Sequence, residues 1–215
     1  MSGLIVKDLC VLRWTAKSYL VVIALYALFA FSGVWTAEIF SGVLAVLVTL
    51  LPANAFSWDN YVKWDNYCLA LPVSRRRVVA ARYVVTLLAA AAACLLGGAL
   101  GVALQLLGRV EDLGVYLLST GAATGAGCLM VAVILPLMYK VGPEKGRVAL
   151  LAVIAIPFAA FLVLLQTEAL TGLVLLPAPA PWVLSVLPFL LLAALAAVMG
   201  ISFLISCRIY EKKQV

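Results

Sequence analysis

The sequence predicts an all-α integral membrane protein with six transmembrane helices, an N-terminal interfacial elbow helix and both termini in the cytoplasm. Three observations predict it. Of the 215 residues, 67% are hydrophobic and 11% are charged, more apolar surface than a water-soluble chain of this size can hide. The apolar residues gather into six runs, each near the length of about 20 helical residues that crosses a bilayer core. Every Lys and Arg except Arg109 falls in the N-terminus, the second-to-third connection, the fourth-to-fifth connection or the tail. The positive-inside rule places those four segments in the cytoplasm.

The elements follow in chain order. Residues 3–16 (GLIVKDLCVLRWTA) mix Leu4, Ile5, Leu9, Leu12 and Trp14 with Lys7, Asp8 and Arg13, the pattern of a helix lying in the membrane interface. The first span covers 18–35. It lacks a cleavage site of the kind that ends a signal peptide, and another apolar run follows at once. The second span covers 39–56, after a tight outer turn near Thr36 to Glu38. The third and fourth spans cover 78–107 and 115–139. They are joined outside by GRVEDLG, which holds Arg109, Glu111 and Asp112. The fifth span covers 148–166 and the sixth 182–207. The third, fourth and sixth exceed the hydrocarbon thickness and must tilt or project into water.

Two connections are unusual. The cytoplasmic one reads WDNYVKWDNYCLALPVSRRR from Trp58 to Arg77, with WDNY repeated after six residues. At about 100° per residue, a helix over 58–71 puts Trp58, Tyr61, Trp64 and Tyr67 on one broad face, which anchors it at the headgroup layer beneath the bundle, and Asp59 and Lys63 on the opposite, solvated face. Asp65 breaks the pattern by pointing into the aromatic face, where a carboxylate needs a partner. Pro72 ends this helix and Ser74 serves as N-cap for the third span. Arg75, Arg76 and Arg77 then crowd a helix N-terminus, which prefers negative charge. Anionic lipid or an acidic protein surface would favour them there. The outer connection 167–181 is apolar, then stiffened by Pro177, Pro179 and Pro181. It either packs on neighbouring helix ends or forms a re-entrant outer gate of Glu38, Glu168 and Pro177, with Glu168 as its one buried or gate-facing charge.

The chemistry an enzyme needs is missing. There is no histidine, no metal-ligand spacing and no intramembrane carboxylate pair. The five cysteines lack paired spacing and read as apolar fillers. GPEKGR at 142–147 is too short for a phosphate loop and follows a span rather than a strand. The third to sixth spans carry no charge deep inside, which disfavours an ion-coupled carrier. Glycines four apart, Gly97 with Gly101 and Gly121 with Gly125, allow close helix packing, within the chain or at a dimer seam. The net charge of +6 reflects membrane topology, and nucleic acid is not an expected partner.

The KDLCVLRW elbow, the six spans with both ends inside, and LALPVSRRRVVAARYV at 69–84 together resemble an ABC transporter permease of the ABC-2 exporter class, over the whole chain. Small bacterial permeases of this kind resemble exporters of phenol-soluble modulins or of peptide antibiotics. The resemblance implies that 58–71 is the coupling helix, with Trp58, Asp59, Tyr61, Lys63, Trp64 and Asp65 toward the ATPase. It implies that the second and fifth spans line the path, nominating Thr49, Asn54, Ile154, Phe158 and Phe161. It also implies partners: two ABC ATPase subunits carrying ATP and Mg, and a second permease half, identical or paralogous. No cofactor is then expected on this chain, which is not itself catalytic. Membrane lipid surrounds it in a bacterial cytoplasmic membrane, and the cargo is amphipathic or hydrophobic. The alternative is a six-span substrate-binding subunit of a vitamin importer, which would need a closed outer pocket with specific polar groups.

Overall fold

The computed structural model describes residues 2–64, 67–68, 74–142, 146, 148, 151–152, 155–156, 159, 163 and 181–212. Five long helices carry the fold: α1 (Ser2–Ser32), α2 (Ala37–Tyr61), α3 (Arg75–Leu106), α4 (Leu113–Val141) and α5 (Pro181–Lys212). Each contains a stretch long and apolar enough to cross a membrane. Among the described residues there is no strand. The span expected at 148–166 lies largely outside the described residues.

Local chemistry sets most helix ends. Gly33 stops α1 by adopting φ 76°, a conformation open to glycine at little cost. Thr36 occupies the N-cap position of α2 without a side-chain cap bond, and Glu38 sits in the first turn, where a negative charge complements the helix dipole. Asp112 caps α4 by accepting from the backbone N–H groups of Gly114 at 2.8 Å and Val115 at 3.3 Å. Gly142 ends α4 with φ 85°.

Two boundaries differ from expectation. The elbow at 3–16 and the first span at 18–35 form one unbroken helix, because no Gly or Pro between Leu4 and Phe31 interrupts it. Likewise the second span does not end at 56. It runs on through the first WDNY to Tyr61. The chain breaks at Val62 and Lys63, where Lys63 takes φ 52°, and Trp64, Tyr67 and Cys68 are again helical. Residues 58–71 are therefore not one continuous helix.

Helices α1 and α3 start at the end of the bundle that gathers the basic residues. Helices α2, α4 and α5 finish there. The parallel pairing of α4 with α5 shows in two contacts: Ser202 Oγ donates to Ala132 O at 2.5 Å, and the rings of Tyr139 and Tyr210 lie 5.3 Å apart. Both helices thus run toward the basic end.

Apolar packing and hydroxyl bridges hold the bundle. Phe40, Leu44, Val48, Leu100, Leu104 and Cys128 fill the half away from the basic end. Val79, Tyr83, Val131, Leu135 and Tyr139 fill the other half with Met199 and Cys207. Ser41 and Thr120 share a hydrogen bond of 2.7 Å between α2 and α4. Tyr83 bonds Ser202 at 2.7 Å and Ser206 at 2.9 Å between α3 and α5. Such bonds act as glue where helix and lipid are equally apolar. The outer faces stay greasy: Leu28 is 67% exposed, Leu95 75% and Phe189 72%, which suits hydrocarbon and not water.

The glycines divide unevenly. Gly97 and Gly101 both face α4, meeting Thr120 and the Tyr116 ring, so that pair packs within the chain. Gly121 and Gly125 meet nothing within 4 Å of a would-be Cβ. The close approach on α4 is made instead by Gly127, whose would-be Cβ lies 2.8 Å from the backbone oxygen of Ala45 on α2.

Candidate functional site at the basic end of the bundle

Four charged side chains from three helices close into a ring. Lys7 Nζ lies 2.9 Å from Asp8 Oδ1 and 2.8 Å from Asp59 Oδ1. Arg82 Nη2 donates to Asp59 Oδ2, and Arg82 Nη1 sits 3.5 Å from Asp8 Oδ2. That last contact is ionic and not a hydrogen bond, since Nη1 has no hydrogen-bond partner. Charges alternate around the ring and cancel. Arg82 and Asp8 are buried at 5% and 4% exposure. Such burial is tolerated only when each charge is paired.

Aromatic rings complete the surroundings. The Arg82 guanidinium lies 4.8 Å from the Phe56 ring centre, and Lys7 Nζ lies 4.3 Å from that of Trp64. These are cation–π distances. Phe56 meets Tyr139 edge-on at 4.8 Å. The ring of charges thus joins the starts of α1 and α3 to the end of α2, with α4 behind it.

A second lock ties α3 to α5. Arg75 Nη1 donates to the backbone oxygens of Glu211 at 2.6 Å and Tyr210 at 3.3 Å. Arg76 Nε donates to Glu211 Oε1 at 2.7 Å. The last carbonyls of a helix lack intrahelical partners, and a cation there is favoured. Two arginines that burden the N-terminus of α3 therefore relieve the C-terminus of α5. Neither lipid nor an outside protein is needed to account for them. Arg77 is exposed, with no ion pair among the described residues. Ser74 occupies the N-cap position without a side-chain cap bond.

The predicted site residues separate accordingly. Asp59, assigned by periodicity to a solvated face, instead points into the bundle, because Arg82 and Lys7 wait there. The aromatic residues expected to face the bundle are partly turned out: Trp58 is 40% exposed and Tyr61 81%. Tyr67 and Lys63 are exposed too, while Trp64 lies against Lys7. Asp65 lies outside the described residues. Thr49 is buried in the seam between α2 and α4, donating to Ala45 O at 2.9 Å and reaching Gly127 O at 3.5 Å. Half-buried Asn54 donates to Tyr19 Oη at 2.6 Å, so it links α2 to α1. Ile154, Phe158, Phe161, Glu168 and Pro177 lie outside the described residues. Glu38 is exposed at the far end.

Sequence reasoning missed Lys7, Asp8 and Arg82 as one site. A signal existed. Arg82 stands one turn inside an apolar span (VVAARYVV), and an intramembrane charge demands a partner. Adjacent Lys7 and Asp8 in an otherwise greasy helix supply one candidate, and Asp59 another.

Among the described residues, five membrane-capable helices with their buried charges locked at one end define a multi-pass membrane subunit. The chain belongs to the ABC-2 family of transporter proteins, whose sequence profile matches residues 3–211. That family supplies the membrane subunits of ABC transporters, transport components whose membership implies an ATPase partner. This membership lends no support to a vitamin-importer reading. Comparison with curated proteins returns no match, and comparison with solved structures returns none.

Proposed function

We propose that the chain is one permease half of an exporter that moves an amphipathic or hydrophobic cargo outward, such as a peptide, an antimicrobial or a lipid-like molecule. Two halves, identical or paralogous, pair with two ATPase subunits that bind ATP and Mg on the cytoplasmic side of a bacterial membrane. The basic end of the bundle faces that side. The observation that carries this reading is the ion ring lying against Trp64, where the second WDNY begins. A push on the segment after Tyr61 reaches Asp59, and from there the starts of α1 and α3 in one step. Exposed Trp58, Tyr61, Lys63 and Tyr67 present an aromatic surface with one cation beneath the ring, which suits a partner with an apolar groove and a polar rim.

The two aspartates of the repeat then have different jobs. Asp59 holds the bundle and Asp65 meets the ATPase. Losing a desolvated charged contact across an interface costs about 2–5 kcal/mol. Asp65→Ala is expected to weaken co-purification of the ATPase and export while the melting temperature stays unchanged. Asp59→Ala is expected to lower the melting temperature itself. Unimpaired ATPase association and export in Asp65→Ala would refute the coupling role.

Orientation has its own check. In a background without native cysteines, Glu111→Cys is expected to react with an impermeant maleimide from outside intact cells, and Glu144→Cys only after lysis. Labelling of Glu111→Cys from the inside alone would reverse the topology.

A further inference from the structure

At the end opposite the ion ring, the α1–α2 turn and the α3–α4 connection face each other across a cleft of about 670 Å³. That size lies within the usual range for a ligand pocket, about 300–1,000 Å³. Its floor is apolar, with Ala30 and Leu104 both buried. Trp35 forms one wall, braced by Tyr26 at 5.1 Å and Phe29 at 4.8 Å.

The polar groups of the cleft are unsatisfied in a specific way. The Arg109 guanidinium lies so close over Gly33 that a Cβ there would collide with it. Glu38 and Glu111 also line the cleft and are exposed. Among the described residues, neither carboxylate pairs with Arg109. Asp112 is occupied by capping α4. Tyr116 lines the cleft as well, is 4% exposed, and its hydroxyl has no hydrogen-bond partner among the described residues. A buried hydroxyl without a partner is costly, and native structures keep few of them.

We propose that this cleft binds the headgroup of a zwitterionic phospholipid with a primary ammonium, phosphatidylethanolamine in chemical type, at the membrane surface away from the basic end. One cation and two carboxylates, none paired with another among the described residues, match a ligand bearing both signs. The phosphate accepts from Arg109 and from the Tyr116 hydroxyl. The ammonium donates to Glu38 and Glu111, which a quaternary ammonium cannot do. The acyl chains leave across Val34 and Val115, which are exposed beside the cleft. Two uncompensated carboxylates disfavour a purely anionic lipid, and Arg109 disfavours a purely cationic amphiphile. The site is independent of the exporter reading, which stands or falls elsewhere.

Native mass spectrometry of the delipidated full chain tests this, with phosphatidylethanolamine and phosphatidylglycerol of identical acyl chains added in turn. Lipid also coats the exposed helix faces, so the informative quantity is the preference between the two lipids and its loss on substitution. The unaltered chain is expected to hold phosphatidylethanolamine about fivefold more tightly than phosphatidylglycerol, the scale of rim ion pairs. Glu38→Gln with Glu111→Gln removes that preference. Arg109→Gln weakens both lipids by about threefold to fivefold, and Tyr116→Phe weakens both by about threefold or more. Free phosphoethanolamine at equal concentration does not compete, because it lacks the chains. Equal affinity for the two lipids in the unaltered chain, or a preference that survives the double carboxamide substitution, overturns the proposal. Competition by free phosphoethanolamine overturns the lipid as its occupant. Glu38, Glu111 and Arg109 are exposed, so their substitutions leave the fold intact.

Discussion

Arg82→Met is expected to cause the largest loss of stability of any single substitution at the basic end. It leaves Asp8 and Asp59 buried with only Lys7 between them. Removing one partner of a buried ion pair costs about 3–5 kcal/mol, far more than the pair contributes over an apolar replacement. A lower melting temperature in detergent and a reduced level in the membrane are the readouts. The same logic makes a second, sharper expectation. Arg82→Met combined with Asp8→Asn and Asp59→Asn is expected to be more stable than Arg82→Met alone, because the stranded charges are gone. Arg82→Lys keeps the charge but cannot reach two carboxylates in a fixed fork, so it falls between. A melting temperature for Arg82→Met equal to that of the unaltered chain would show that the ring does not hold the helices.

Gly127→Leu is expected to be the second most damaging change. A Cβ at Gly127 already stands 2.8 Å from Ala45 O and 3.3 Å from Ala45 Cα. Backbone atoms cannot swing aside, so α2 and α4 must separate. Overpacking of a tight contact costs about 1–3 kcal/mol. The hydroxyl of Thr49 loses its approach to Gly127 O in the same motion. Gly121→Leu on the same helix meets open space and is expected to stay within about 0.5 kcal/mol of the unaltered chain. Equal destabilisation by the two, measured as thermal midpoints under one condition, would contradict the assigned α2–α4 seam.

The glycine pair shows how far a motif reads. The small residues of α3 and α4 share the same four-residue spacing in the sequence. Gly97 and Gly101 use it to pack on α4, whereas Gly121 and Gly125 face away from the described residues. Spacing says which residues share a face, but helix rotation about its axis decides what that face meets. Asp59 makes the same point. Periodicity correctly separates it from Trp58 and Tyr61, then assigns the polar side to water. The bundle holds Arg82 and Lys7 at that place, and a strong local pairing outweighs the preference of an aromatic face for cover. The arginines at 75 and 76 follow suit. Their conflict with the dipole of α3 is visible in the chain, but its resolution lies about 135 residues away, at the end of α5.

The sequence by itself determined the all-helical membrane class, the approximate limits of α2 to α5 and the sorting of nearly every basic residue to one end. Hydrocarbon length, desolvation cost and the backbone freedom of Gly33 and Gly142 act locally, so each can be read from a short window. Only the tertiary structure decided that the elbow and first span are one helix starting in a charge ring, and that Asp59 faces inward. It alone chose Gly127 as the contact glycine, and paired the two arginines with α5. Those choices depend on which helices touch and on the rotation of each about its axis. Packing and ion pairing between residues far apart in the chain set both, and no local stretch of sequence carries that information.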